Sequence, residues 1–163
     1  MSMLKKFLAG SLAVVIFLSL AFVFYSNFLK KEIDIGVLKE TRDITVGDTV
    51  VSVNFAVTES ERKQGLSGKE KLAESEGLFF IFEKNGIYPF WMKDMNFPID
   101  IVWVSEDFVV VDITKNAQPD SFPKTFIPRQ PIRYVLEVNA GLTDRDMIKI
   151  GDVVSDSNLI FAE

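Results

Sequence analysis

Apolar and polar residues alternate along the central part of this chain in short stretches, and the stretches have the period of strands. Val51, Val53, Phe55 and Val57 interleave with Ser52, Asn54 and Ala56, the two-residue repeat of a half-buried strand. Leu78 to Phe82 is a continuous apolar run, too short for a buried helix and rich in Phe, which predicts a strand. Asn85-Gly86 reads as a tight turn into a further strand from Tyr88 to Met92. Ile99 to Val104 and Phe108 to Thr114 flank Ser105-Glu106-Asp107 and predict a hairpin. Tyr134 to Val138 is another strand, and Val153-Val154 with Leu159 to Phe161 close the sheet. Helical signals are few. Thr58-Glu59-Ser60-Glu61 has the spacing of a capping box, with Gly65 placed to end that helix. Lys69 to Glu76 is helical or irregular, and Thr143-Asp144-Arg145-Asp146 allows one helical turn. Asn116 to Pro131 carries four prolines and forms a long irregular excursion of the kind that often serves function. The expected fold is mainly β: a compact, sandwich-like or partly open barrel domain with one or two short helices.

The amino-terminal end follows a different pattern. Lys5-Lys6 precede an apolar run from Phe7 to Tyr25, broken only by Gly10, Ser11 and Ser19, and no acidic residue occurs before Glu32. About 20 apolar residues suffice to span a bilayer as a helix. A cleaved signal has a shorter apolar region ending in small residues. Cutting after Ser19-Leu20-Ala21 would expose Phe22-Val23-Phe24-Tyr25, so the run reads as an uncleaved anchor. The expected organisation is a membrane anchor at 1–29, a tether at 30–43 and a β-rich domain at 44–163. Residues 7–29 would make a single pass through the cell membrane. Lysines flank both sides, Lys5 and Lys6 before and Lys30, Lys31 and Lys39 after, so charge alone does not orient the segment. A short leading tail followed by one folded domain favours an extracytoplasmic domain.

Composition removes whole classes of function. The net charge is −5, and setting aside Lys5 and Lys6 with the anchor leaves −7 on the remainder. That balance opposes contact with phosphate backbones, so nucleic acid is not an expected partner. With no Cys there are no disulfides, thiol nucleophiles or zinc-thiolate sites. With no His the usual general base and the commonest transition-metal ligand are absent. Asp144, Asp146, Asp152 and Asp156 do not have calcium-loop spacing and read as solvated turn residues. No metal or cofactor is expected.

Two carboxylates stand out against apolar strands. Asp100 shares a strand face with Val102 and Val104, and Glu137 alternates with Val135 against Tyr134, Leu136 and Val138. An ionised carboxylate in such a place is costly unless something pairs with it, so Asp100 has to be explained by a partner, a ligand or a structural hydrogen-bond network. Structurally, each would be held by Arg62, Lys93 or Arg133, locking loops to the sheet. Functionally, both could sit on one concave surface beside Phe80, Phe82, Tyr88, Trp91 and Trp103, where a carboxylate pair suits acid–base work on a glycosidic bond. Arg62 is either a ligand-facing guanidinium or an internal staple to Asp100 or Glu137. Trp103 is expected in the core, while Trp91, beside Lys93 and Asp94, is poised between core and site.

Several stretches in order resemble one family: Arg62-x-x-Gly65-Leu66, Gly77 to Phe82, Phe90 to Val104 with its Trp91-Met92 and Pro98-Ile99-Asp100, Val135 to Gly141, and Ile150-Gly151-Asp152. Together they resemble the bacterial and archaeal family catalogued as domain of unknown function 192, over about residues 44 to 160. Ser67 stands where that family usually has Met, and Asp94-Met95 where it usually has Asn-Thr. The resemblance implies a compact β-rich domain and, the family being uncharacterised, little about activity. Two functions follow from the residues. One is a membrane-tethered module binding a small molecule, glycan or protein, with Arg62, Tyr88, Trp91, Lys93, Asp100 and Glu137 as candidate contacts in a groove also walled by Asn116 to Pro131. The other is a glycan hydrolase with Asp100 and Glu137 as its catalytic carboxylates.

Overall fold

The structure is a computed structural model, and it describes residues 16, 18–25 and 41–156. The chain divides into two compact units, Met1–Val37 and Leu38–Glu163. Of the first, the described residues are helical and exposed. The expected anchor at 1–29 and tether at 30–43 lie largely outside the described residues, as does the strand expected over Leu159 to Phe161. Among the described residues, no helix is long and apolar enough to cross a membrane.

The second unit is mainly β. Its strands are β1 (Arg42–Val46), β2 (Thr49–Ala56), β3 (Glu76–Gly86), β4 (Phe90–Trp91), β5 (Ile99–Val104), β6 (Val110–Ala117), β7 (Thr125–Phe126), β8 (Ile132–Asn139) and β9 (Val154–Ser155). Short helices α1 (Glu59–Gln64) and α2 (Leu142–Arg145) and one 3-10 turn (Pro119–Ser121) complete it. Seven strands form one sheet in the order β6-β5-β8-β3-β2-β1-β9, and β4 pairs with β7 in a separate ribbon. Every pairing is antiparallel except β2–β3, whose parallel arrangement requires the crossover that α1 begins. The sheet curls into a half-barrel whose two ends meet: Val109 bridges Val153, the Val110 N–H donates to the Asp152 carbonyl, and the Gly151 N–H donates to the Val110 carbonyl.

Strand alternation sorts the apolar residues onto the two faces of this curled sheet. Ile44, Val46, Val51, Val53, Phe55 and Phe79 meet Val102, Val104, Leu136 and Val138 on the concave side. Leu142 from α2 and Ile148 just after it join them. The other face carries Phe80, Ile99, Ile101, Trp103, Ile132 and Val135, which are covered by Leu66, Leu72 and Met92 from the connecting segments. Phe90 of β4 meets Phe80 and Trp103 edge-on, with ring centroids 4.9 and 5.3 Å away. Phe126 of β7 also packs on this face, which is how the proline-rich excursion becomes a cover for the outer core.

Three sequence expectations change. Arg42–Val46 is a strand, although its first two residues, Arg42 and Asp43, fall in the segment read as a tether. Asn85-Gly86 is no turn: β3 runs through it, and Gly86 pairs with Ile132 after a register shift that starts beyond Ile81. Neither residue has the positive φ that a two-residue hairpin turn demands. Consequently the next strand does not fold back on β3. It shrinks to Phe90–Trp91 and pairs with β7.

Candidate functional site

Helix α1 builds one wall of the site. Thr58 accepts a bond from the Glu61 N–H, and the Glu61 carboxylate accepts from the Thr58 and Val57 N–H groups, a complete capping box. This cap fixes the first turn and so aims Arg62. The Arg62 Nη1 donates to the Val57 carbonyl and, at 2.9 Å, to the Ile81 carbonyl, tying α1 to β2 and β3. Its guanidinium carbon lies 5.2 Å from the Phe82 ring centroid. Phe82 stacks on Tyr88 at 3.7 Å, and the Tyr88 hydroxyl donates to the Lys84 carbonyl. The turn after α1 is joined to the turn after β4: the Ser67 hydroxyl donates to the Lys93 carbonyl, and the Gly68 N–H to the Asp94 carbonyl.

These elements surround a cavity of about 390 Å³ on the outer face of the sheet. Its floor is β3 and β8, through Phe80, Phe82 and Glu137, and its rim is Arg62, Tyr88 and Trp91. Trp91 is 45% exposed, which suits a rim residue and not a core one. Ser67 and Met95 also line the cavity.

Glu137 is the chemically unusual member. It lies on β8 between Leu78 of β3 and Ile101 of β5, 5% exposed. Its Oε2 has no hydrogen-bond partner among the described residues. Burial raises its pKa from 4.5 to about 8, because the surroundings replace water around the charged form without offering donors. At neutral pH the group is therefore mostly a carboxylic acid, able both to donate and to accept a hydrogen bond at the base of an aromatic-walled cavity.

Asp100 has the opposite character. It is 1% exposed, but its carboxylate is fully engaged. Oδ1 accepts from the Asn116 N–H at 2.8 Å. Oδ2 accepts from the Gly141 N–H at 3.0 Å, the Thr143 N–H at 3.2 Å and the Thr143 hydroxyl at 2.7 Å. The expected cation is not there. Three backbone N–H groups and the Thr143 hydroxyl take its place, and Asp100 staples the start of α2 to β5 and β6. The Asn116 N–H and the Gly141–Thr143 segment are what the sequence pattern concealed, since a backbone donor leaves no mark in residue type.

The two carboxylates do not share a surface. Ile101 pairs directly with Glu137, so these two side chains leave the same face, and Asp100, one residue along, points through the other. The sheet itself lies between them, and no glycosidic bond could meet both. Arg62 bonds backbone carbonyls and staples neither carboxylate. Lys93 is exposed outside the cavity, and the Asn116 to Pro131 segment does not line it. Arg133 leaves its Nε buried without a partner among the described residues and sets its guanidinium carbon 5.8 Å from the Tyr134 ring centroid. Of the residues expected at a site, the cavity brings together Arg62, Tyr88, Trp91 and Glu137. Trp103 is fully buried and bonds Thr114, as expected of a core residue. The four C-terminal aspartates lie beside Lys115, Arg145, Lys149 and Arg42.

Similar proteins share this architecture. A proposed transcription regulator from Sinorhizobium meliloti 1021 is 29% identical, with a TM-score of 0.69 over 74% of this chain and 97% of its own. A protein of unknown function from Novosphingobium aromaticivorans DSM 12444 is 32% identical, with a TM-score of 0.67 over 69% of this chain and 83% of its own. No curated protein matches significantly. The profile of domain of unknown function 192, described as an uncharacterised ACR, matches residues 41–155, the stretch that builds both the curled sheet and the cavity, and the chain belongs to that family.

Proposed function

We propose that this domain is a ligand-binding module whose site is the outer-face cavity floored by Glu137. The observation that carries the reading is the Glu137 carboxyl itself, buried at the base of a 390 Å³ cavity with one oxygen unpartnered. A buried polar group left unsatisfied costs about 1–3 kcal/mol, so a purely structural role would favour an apolar residue here. Aromatic walls with a few converging polar groups are the usual makeup of a small-molecule site. The fold places all of this on the sheet face opposite Asp100, so binding and architecture are separate tasks of the two carboxylates. Against the hydrolase reading stands that same separation. The net charge of −5 weighs against the phosphate contacts that a nucleic-acid regulator needs. Attachment to a membrane through residues 7–29 is supported by the apolar run alone.

A heteronuclear NMR screen of the full-length protein against a small-molecule library tests the reading. Binding at the cavity shifts the Trp91 indole N–H and the amides of 62–67 while leaving the Trp103 indole in place. Hits scattered over the surface, or none, would contradict it. A second reading, a protein-interaction surface, is favoured by Ile87, Trp91, Phe122 and Ile127, exposed along and beside the β4–β7 ribbon. Sedimentation of Ile127→Ser beside the wild type checks the self-associating form of that reading. Equal coefficients at all concentrations would count against it.

A further inference from the structure

The cavity has two polar ends that do not touch each other. Arg62 and Glu137 both line it, yet no ion pair joins them. Nη1 of Arg62 carries both of its backbone bonds, so among the described residues Nε and Nη2 have no partner. Those two nitrogens form one edge of a planar guanidinium, the edge that grips a carboxylate through two parallel bonds. At the floor, Glu137 offers a carboxyl whose Oε2 is unpartnered. Between the two ends the surfaces are aromatic: Phe80, Phe82, Phe90 and Trp91.

Resting on the binding reading above, we propose that the cavity takes a small organic acid. Its carboxylate would sit on the Nε–Nη2 edge of Arg62, its apolar ring against the aromatic walls, and a hydroxyl or carbonyl oxygen on the Glu137 carboxyl. Charge decides against the other classes. The charged and titratable groups sharing the cavity are Glu59, Arg62, Lys63, Tyr88 and Glu137, while Leu78 and Ile101, which flank Glu137 on the neighbouring strands, carry no charge. With Glu137 protonated, the balance of Glu59 against Arg62 and Lys63 is positive. A cationic ligand meets that charge unfavourably, and a neutral one leaves the guanidinium edge covered but unpaired, which forfeits the bonds that water had made.

Three congeners with one body separate the classes: 4-hydroxyphenylacetate, tyramine and 4-ethylphenol. They are titrated calorimetrically into the full-length wild-type protein at pH 6.5, with NMR to locate binding. The acid is expected to bind at least tenfold more tightly than either congener and to shift the amides of 62–67. Arg62→Gln is expected to abolish that preference. Glu137→Gln, which keeps a donor and an acceptor, is expected to retain it. Moving to pH 9 ionises Glu137 and should weaken the acid's binding to the wild type but not to Glu137→Gln. The comparison among congeners uses the wild-type chain and so stands even if Arg62→Gln fails to fold. Tighter or equal binding of tyramine or 4-ethylphenol in the cavity overturns the acid class and leaves the binding module intact. Failure of all three to bind, with no shift at the cavity, overturns both.

Discussion

At the level of single residues, the domain uses two buried carboxylates in opposite ways. Asp100 accepts four hydrogen bonds and joins three segments of chain. Asp100→Ala would orphan three backbone N–H groups and one hydroxyl in a closed site. Hydrogen bonds to charged acceptors are worth about 1.5–3 kcal/mol each and are not additive, so a loss of roughly 3–5 kcal/mol is expected. Urea unfolding of the variant beside the wild type measures it, and a midpoint unchanged within error would refute the staple. Asp100→Asn should be nearly as harmful, because its NH2 must face N–H donors on one side or the other. Sequence reasoning identified the burial of both carboxylates and the correct strand face of Asp100, since alternation alone decides that. A hydrogen-bond network was one of the explanations the sequence allowed for Asp100, but a cation looked the better partner, because backbone donors are brought in by topology and not by residue type. The 37 positions from Asp100 to Glu137 held no information about their faces; only the Ile101–Glu137 register does.

Among the elements, those with strong local signals formed where their residues predict. The capping box at Thr58, the hairpin between Ile99 and Ala117, and the strand through Glu137 are all written in adjacent residues. What failed were inferences about partners. Asn85-Gly86 has the composition of a hairpin turn, but β3 needs those residues to reach Ile132, and β4 finds β7 instead. Strand propensity says that a segment is extended, not which edge it joins. The cap on α1 gives a test at this scale. Thr58→Ala removes the side-chain acceptor for the Glu61 N–H, at a cost of about 1 kcal/mol, and loosens the turn that carries Arg62. A thermal melt should fall by a few degrees, and ligand affinity at the cavity should fall with it. A melt that falls while affinity holds would show that Arg62 is positioned by its bonds to Val57 and Ile81 alone.

For the molecule as a whole, the curled sheet divides labour between its faces. The concave side is packed by aliphatic residues and a run of aromatic contacts from Phe55 through Phe79 and Tyr134 to Phe108, and Asp100 staples α2 to the strands beside it. The convex side is only partly covered, and the uncovered part is the cavity. Because the sheet's two ends meet at Val109 and Val153, the amides of Val110, Gly151 and Val154 should resist hydrogen exchange as strongly as central strands do. Exchange there at loop rates would show an open half-barrel instead. The residues Val153-Val154 mark a closing strand in the sequence, but nothing there shows that Val109 is their partner across the seam.

Burying Glu137 at the floor of the cavity costs the fold stability. Unfolded, its carboxyl releases its proton near 4.5; folded, it holds the proton to about 8. Between those values the native state binds one proton more than the unfolded state, so stability falls as pH rises through that window and levels off above it. At about 1.4 kcal/mol per unit, the loss attributable to this group is roughly 5 kcal/mol. Glu137→Gln has no such proton and should escape the loss, while the other carboxylates titrate alike in both proteins. Denaturant unfolding of wild type and Glu137→Gln from pH 4 to pH 9 is therefore the most direct measurement. The variant's stability should gain steadily on that of the wild type from pH 4.5 to 8 and hold its lead above. Parallel curves would mean that Glu137 ionises freely in the folded protein, and the cavity would have no buried neutral carboxyl to offer a ligand.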